Sequence, residues 1–286
     1  MWIDILLGIF VLIAIICIWI LIYDGNRFAK VEYTFTDERF LEDAVFVVLA
    51  DLHGKSYGVH NEKLIAAIDE INPDGVLIAG DMINAEKGKG YEEAYLLIEA
   101  LAKKYPVFYG NGNHEYRTYF YTDTYDNMFE EYKTKLEKCG VHYLLNASML
   151  LPKCGAYIYG IDMERYFYQR FYKRPMTAEY MNKTLGEVKK ERPTVLLAHN
   201  PIYFEEYADW GADLVLSGHI HGGMVRLPFL GGMVSPMVQF FPHYDGGEFK
   251  EFGKTMILSR GLGMHTLPIR FLNPGELVVV HMKKGN

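Results

Sequence analysis

The chain has 286 residues, half of them hydrophobic, a formal net charge of -7 and three cysteines. That length allows one large domain plus an appendage. The acidic balance argues against a broad nucleic-acid footprint, and Cys17, Cys139 and Cys154 form neither a metal-type pair nor a disulfide framework.

The first element is the run Ile5 to Ile22, eighteen residues without a charge. As a helix it spans roughly 27 Å, close to the hydrocarbon thickness of a bilayer. Trp2, Trp19 and Tyr23 sit near its ends, where amphipathic rings favour the interface. A cleaved signal peptide would want a basic n-region, a shorter apolar stretch and a small-residue cleavage site, and a buried core helix would want a polar face. We therefore read residues 1–23 as a single-pass transmembrane anchor in the cell membrane. No Lys or Arg precedes the span, whereas Arg27, Lys30 and Arg39 follow it, which leans the rest of the chain to the cytoplasmic side.

Residues 24–43 read as a connecting segment with one strand, at 31–36, and residues 44–286 as the main domain. Within it, short apolar runs ending in polar residues alternate with amphipathic stretches. The runs are 44–54, 74–83, 105–115, 194–201 and 212–223, each with four to six apolar residues rich in Val, Ile and Leu. That suits strands buried on both faces. Helical patterns fill 61–72, 91–105, 125–140 and 177–191, and late strands fall at 255–260 and 277–282. The alternation predicts an α/β sheet covered on its faces. There is no internal repeat, low-complexity tract or second-domain linker.

Ligand sites in open α/β sheets lie at the carboxyl ends of the strands. Here those ends carry Asp51 and His53, then Asp81, then Asn113 and His114, then His199, then His219 and His221. Five of the ten histidines fall there. Each loop alone has an ordinary structural explanation, as a capping pair, a turn or a satisfied histidine. Together they offer carboxylate and imidazole donors that suit zinc, iron or manganese, more than one tetrahedral site needs and enough for two ions sharing a carboxylate.

The ordered series D-x-H, GD, G-N-H-E, H and G-H-x-H resembles the signature of the calcineurin-like metallophosphoesterases, from about Ala44 onward. "HGGMVRLPFLG", "SRGLG" and "LPIRFLNPGEL" are similar to the membrane-associated bacterial branch, which includes YkuE-type phosphoesterases and UDP-2,3-diacylglucosamine pyrophosphatases. Ala50, Asn84, Ile220 and Met224 depart from common family forms at positions that are not ligands. The resemblance implies a four-layer αββα sandwich of two mixed sheets. It implies one divalent ion held by Asp51, His53, Asp81 and His221 and a second held by Asp81, Asn113, His199 and His219, with Asp81 bridging. It also implies a hydrolase in which metal-bridged hydroxide attacks phosphorus. His114 would donate a proton to the leaving oxygen or, in the simpler role, orient the phosphate, and Glu115 is a candidate to hold its ring.

Aromatic and basic residues crowd 115–125 and 163–175, and 224–247 is broken by Gly and Pro. These stretches read as core or dimer surface, or as a greasy cationic rim against the bilayer, with Arg117, Arg165 and Arg226 as candidate phosphate clamps. Anchor plus rim point to a lipid-linked phosphodiester or pyrophosphate. The same chemistry on nucleic acid or phosphoprotein, and a non-catalytic scaffold, are the competing readings. The acidic charge and the anchor weigh against nucleic acid, and the intact donor series weighs against a scaffold.

Overall fold

A computed structural model describes residues 1–285 except 170–171, 228, 236–239 and 265–267. Those residues interrupt the stretches 163–175 and 224–247 and the run leading to Pro268, so the rim expected there is described only in part. The apolar N-terminal run forms helix α1 (Trp2–Gly25), followed by strands β1 (Phe28–Asp37) and β2 (Ala44–Leu49). Helix α2 (Glu62–Ile71) leads to β3 (Gly75–Ala79), and α3 (Glu92–Ala102) leads to β4 (Val107–Gly110). Helices α4 (Asn113–Phe120), α5 (Thr122–Tyr125) and α6 (Met128–Lys138) come next. Strands β5 (His142–Tyr143), β6 (Ala147–Leu150) and β7 (Tyr157–Gly160) precede α7 (Ala178–Leu185), β8 (Thr194–Leu197), α8 (Phe204–Trp210) and β9 (Leu214–Ser217). The remaining strands are β10 (Val225–Leu227), β11 (Gly231–Val234), β12 (Gly247–Glu251), β13 (Lys254–Leu258) and β14 (Gly275–Lys284).

Two six-stranded mixed sheets form, ordered β1-β14-β2-β3-β4-β5 and β12-β13-β9-β8-β7-β6, with β10 and β11 as a separate hairpin. In the first sheet β2, β3, β4 and β5 run parallel; in the second β7, β8, β9 and β13 do. Alternate residues of β2, β3 and β4 (Phe46, Val48, Leu77, Phe108) meet Ile158, Val195, Leu197, Leu216 and Ile257 of the second sheet in one buried core. The opposite face of the first sheet packs on α2, α3 and α6 through Val47, Leu49, Leu64, Ile78, Leu97 and Leu136. The opposite face of the second packs on α7 and α8 through Leu196, Val215, Met181 and Tyr207. Four layers, helix, sheet, sheet and helix, result. A strand buried on both faces needs apolar residues at both parities, and β3, β8 and β9 are buried along their whole length.

Helix α1 is long and apolar enough to cross a membrane, and none of its membrane-length window is buried among the described residues. Its foot is fixed: Asp24 is buried and pairs with the Arg27 guanidinium at 2.8 Å.

Some elements differ from the sequence expectation. The aromatic and basic stretch 115–125, to which the sequence assigns no element, is largely α4 and α5. Helix α4 starts where the Glu115 carboxylate accepts the Gly112 N–H at 2.9 Å, the half of a capping box that a glycine N-cap allows. The helix expected to reach residue 191 ends at Leu185, because Gly186 takes a φ of 78° that breaks the helical path. The sequence assigns no strand at β5, β6 or β7; β5 and β6 are two and four residues long and largely exposed, so they carry no apolar run.

Candidate active site

The strand ends deliver their polar residues to one place because the parallel strands of both sheets finish at the same edge. Residues just past β2, β3, β4, β8 and β9 converge there, and Asp51, His53, Asp81, His114, His199, His219 and His221 are all buried. Asp51, His53, Asp81, His219 and His221 all adopt positive φ. Such backbone is costly for non-glycine residues and persists only where surroundings over-determine it.

The surroundings do so with hydrogen bonds and glycines. The Asp51 carboxylate accepts the His219 N–H at 3.0 Å, and Asp81 Oδ1 accepts the His114 N–H at 2.7 Å, so each carboxylate ties two loops together. The backbone of Asp51 and His53 bonds to the carbonyls of Gly80 and Asp81. A Cβ on Gly112 would overlap the Asp81 carboxylate, and one on Gly218 would overlap that of Asp51. Only glycine permits this approach.

Donor atoms point inward. His53 Nε2 and His221 Nε2 stand 3.1 Å apart, and His221 Nε2 is 3.3 Å from Asp51 Oδ1. His199 Nε2 lies 3.0 Å from Asp81 Oδ2 and 3.6 Å from Asp51 Oδ1. Three donor groupings result: Asp51, His53 and His221; His53, Asp81 and His114; and Asp81, His199 and His219. They share His53 and Asp81, so the cluster is continuous. Asn113, the first residue of α4, carries a buried Oδ1 that accepts no hydrogen bond among the described residues.

These groups fit divalent ions. Burial would raise the Asp51 and Asp81 carboxyls, but neighbouring histidines override it and hold both well below the usual range. Burial keeps the His53 imidazole neutral and pushes His219 down to about 3, leaving lone pairs to donate. His199 goes the other way. Burial opposes its charge, yet Asp81 and Asp51 raise it to about 10, so its proton answers the cation demand of two buried carboxylates. Its Nδ1–H donates to the Ala79 carbonyl at 2.7 Å, which turns Nε2 toward the cluster as an ion-ligating histidine requires.

Residues 44–223 match the profile of calcineurin-like phosphoesterases, more than half of the chain. The chain belongs to that family. A metallophosphoesterase of Helicobacter pylori, itself uncharacterized, is 29% identical over 94% of this chain and 68% of its own length. The Bacillus subtilis metallophosphoesterase YkuE is 35% identical over 36% of this chain and 35% of its own. A zebrafish transmembrane protein with a metallophosphoesterase domain is 28% identical over 84% of this chain and 53% of its own length. The chain thus spans about two thirds of the first relative and about half of the last. As a member of that family it is a metal-dependent phosphoesterase.

His114 sits beside this cluster. Its Nδ1 accepts the Ala85 N–H at 2.9 Å, which places the neutral ring's proton on Nε2. Burial lowers its pKa; Asp81 opposes and the charge of Arg117 adds to the lowering. Glu115 does not take up the ring-holding role expected from sequence. Its carboxylate accepts the N–H groups of Asp81, Met82, Ile83 and Gly112 at 2.8 to 3.3 Å and the Tyr109 hydroxyl at 2.8 Å. It clamps the Asp81 turn instead.

Of the three arginines expected to clamp phosphate, Arg117 is exposed on α4 and near enough to His114 to be felt electrostatically. Arg165 is exposed and lies over the Tyr121 ring at 5.5 Å, with its guanidinium on that hydroxyl. Arg226 is engaged by Asp245 at 3.1 Å and by the Gly222 carbonyl. Tyr168 was not singled out from sequence. Its ring packs 5.2 Å from that of His219 and lines a groove of about 790 Å³ with Tyr116, Phe120, Arg165 and Tyr166. It lies inside an aromatic run visible in the sequence, but nothing there ties that run to the GHIH loop.

Proposed function

We propose that this chain is a membrane-anchored, two-ion phosphoesterase that cleaves a phosphodiester or pyrophosphate bond in a lipid-linked small molecule. The observation that carries the reading is the convergence of Asp51, His53, Asp81, His114, His199, His219 and His221 on one buried donor cluster, with Tyr168 of an aromatic groove packed against His219. One ion would take Asp51, His53, Asp81 and His221, the other Asp81, Asn113, His199 and His219. Manganese, iron or zinc, when bound, would activate water at neutral pH and neutralise phosphoryl oxygens.

The protein's own residues do the rest. Asp81 would stand between the two donor sets, its turn held by Glu115. His114 would present Nε2–H to the leaving or phosphoryl oxygen. The Ala85 bond to Nδ1 favours this neutral, orienting role, because a charged ring would set two N–H donors against each other there. Arg117 would add positive charge at the mouth, and Arg165 would serve the groove.

The lipid part of the proposal has separate support. Phe229, Leu230, Phe240 and Phe241 follow the His219–His221 loop and are exposed. Exposed apolar side chains of this size suit a bilayer surface. Helix α1 would supply the anchor, with Arg27, Lys30 and Arg39 favouring a cytoplasmic catalytic domain. No nucleic-acid partner is expected.

The test is a hydrolysis screen of purified protein in detergent with manganese. It compares a polyprenyl pyrophosphate, a nucleotide-sugar lipid, a phospholipid, a chromogenic aryl diester and single-stranded DNA. Preference for a lipid-linked phosphate supports the proposal. Preference for single-stranded DNA overturns the substrate class.

A further inference from the structure

Behind the cluster lies a second structure that no ligand role explains. Arg270 is buried, and its whole guanidinium is turned onto backbone carbonyls. Nε donates to Gly263 at 2.9 Å, Nη1 to Asn273 and Pro274 at 3.2 and 3.4 Å, and Nη2 to Arg260, Gly261 and Gly263. A planar fork of five donors suits several acceptors held at fixed angles. The segment it gathers faces the cluster. Gly263 N–H donates to the Asp51 carbonyl at 2.6 Å, and Leu262 N–H to that of Ala50 at 3.0 Å. A Cβ on Gly261 would fall 2.6 Å from Asp51 Cβ. Asn273, also buried, donates through Nδ2 to the carbonyls of His221 and Gly223, both at 2.7 Å. One buried unit therefore grips the backbone of Asp51 on one side and of His221 on the other, the two residues whose side chains meet at 3.3 Å.

We propose that Arg270 and Asn273 are positioning residues that set the Asp51–His53–His221 half of the donor cluster through residues 260–263 and 273–274 more than the Asp81–His199–His219 half. The second half has holds of its own, the Glu115 clamp on the Asp81 turn and the Ala79 carbonyl on His199, and it joins the first through the Asp51 carboxylate on the His219 N–H. The inference rests on the two-ion reading above.

The experiment is a manganese titration of the full-length chain in detergent after chelation, read by calorimetry for each binding step. Arg270→Lys keeps the charge and removes the fork. Asn273→Ala removes only the bonds to residues 221 and 223, and it is the deciding arm if Arg270→Lys does not fold. The wild type is expected to bind two ions. Each folded variant is expected to keep one step within twofold and weaken the other at least tenfold. Asn273→Ala should add little to that loss in a His221→Ala background and its full effect in a His219→Ala background. Two unchanged steps, or two equally weakened steps, overturn the inference alone. A wild type that binds fewer than two ions overturns the two-ion reading and the inference with it.

Discussion

His53 and His221 stack at 5.0 Å with ring planes 15° apart, and their Nε2 atoms face each other at 3.1 Å. Two imidazole lone pairs at that distance repel unless a proton or a metal ion lies between them. The nearby Asp51 carboxylate favours a cation there. Chelation is therefore expected to destabilise the folded protein, and saturation with manganese to stabilise it by about 3–4 kcal/mol at 100 to 1,000 times the dissociation constant. In His221→Ala, which lacks one donor, the melting-temperature gap between chelated and loaded protein should shrink. Differential scanning fluorimetry with and without chelator checks this.

The Glu115 clamp carries a second prediction. Gly80 and Asp81 both hold positive φ, 89° and 54°, and the Glu115 carboxylate accepts successive N–H groups across that turn. Glu115→Gln would set an amide donor against N–H donors. A loss of about 2–4 kcal/mol is expected, the range for breaking a buried network, together with reduced metal content. Urea unfolding and elemental analysis measure the two effects.

The split between what was readable in the sequence and what was not has a physical basis. The donor residues sit two to four positions beyond strands of four to six residues that are buried on both faces, and such strands announce themselves as apolar runs. Which sheet each strand joins depends on contacts between residues far apart, such as Leu197 packed against Gly110, and periodicity carries no such information. Adjacency of Glu115 to His114 in sequence suggests a ring contact, whereas helical geometry turns its carboxylate back onto residues 81–83. Arg270 and Asn273 lie in the run LPIRFLNPGEL, but their partners are backbone carbonyls, which leave no trace in side-chain chemistry.

His114 gives a prediction that separates its two possible roles. A neutral Nε2–H donor stabilises charge without transferring a proton. His114→Ala is then expected to lower kcat by about 10²–10³-fold, and by a similar factor for aryl diesters with good and poor leaving groups. A loss that grows steeply as the leaving group becomes more basic would indicate general-acid catalysis instead. A leaving-group series on the two proteins is the measurement.

Asp162 supplies a pH dependence away from the donor cluster. Its Oδ1 accepts the Asn111 amide at 2.9 Å, and burial raises its pKa to about 6. The folded-state value lies above the unfolded one, about 3.9, so the folded protein holds this proton more tightly. The stabilisation from this group is present below pH 4 and is lost as pH rises to about 6. Asp162→Asn should abolish that slope. Relative to wild type, the variant should gain up to about 3 kcal/mol between pH 4 and pH 7, as read from urea unfolding at several pH values.

The measurement closest to the central claim is hydrolysis of a chromogenic aryl phosphodiester by chelated and manganese-reloaded protein, wild type beside Asp81→Ala, with folding verified by circular dichroism. The expected result is activity that disappears on chelation, returns with manganese, and falls at least about a thousandfold in Asp81→Ala. Equal activity in chelated protein, or full activity in folded Asp81→Ala, would contradict a hydrolase built around that carboxylate.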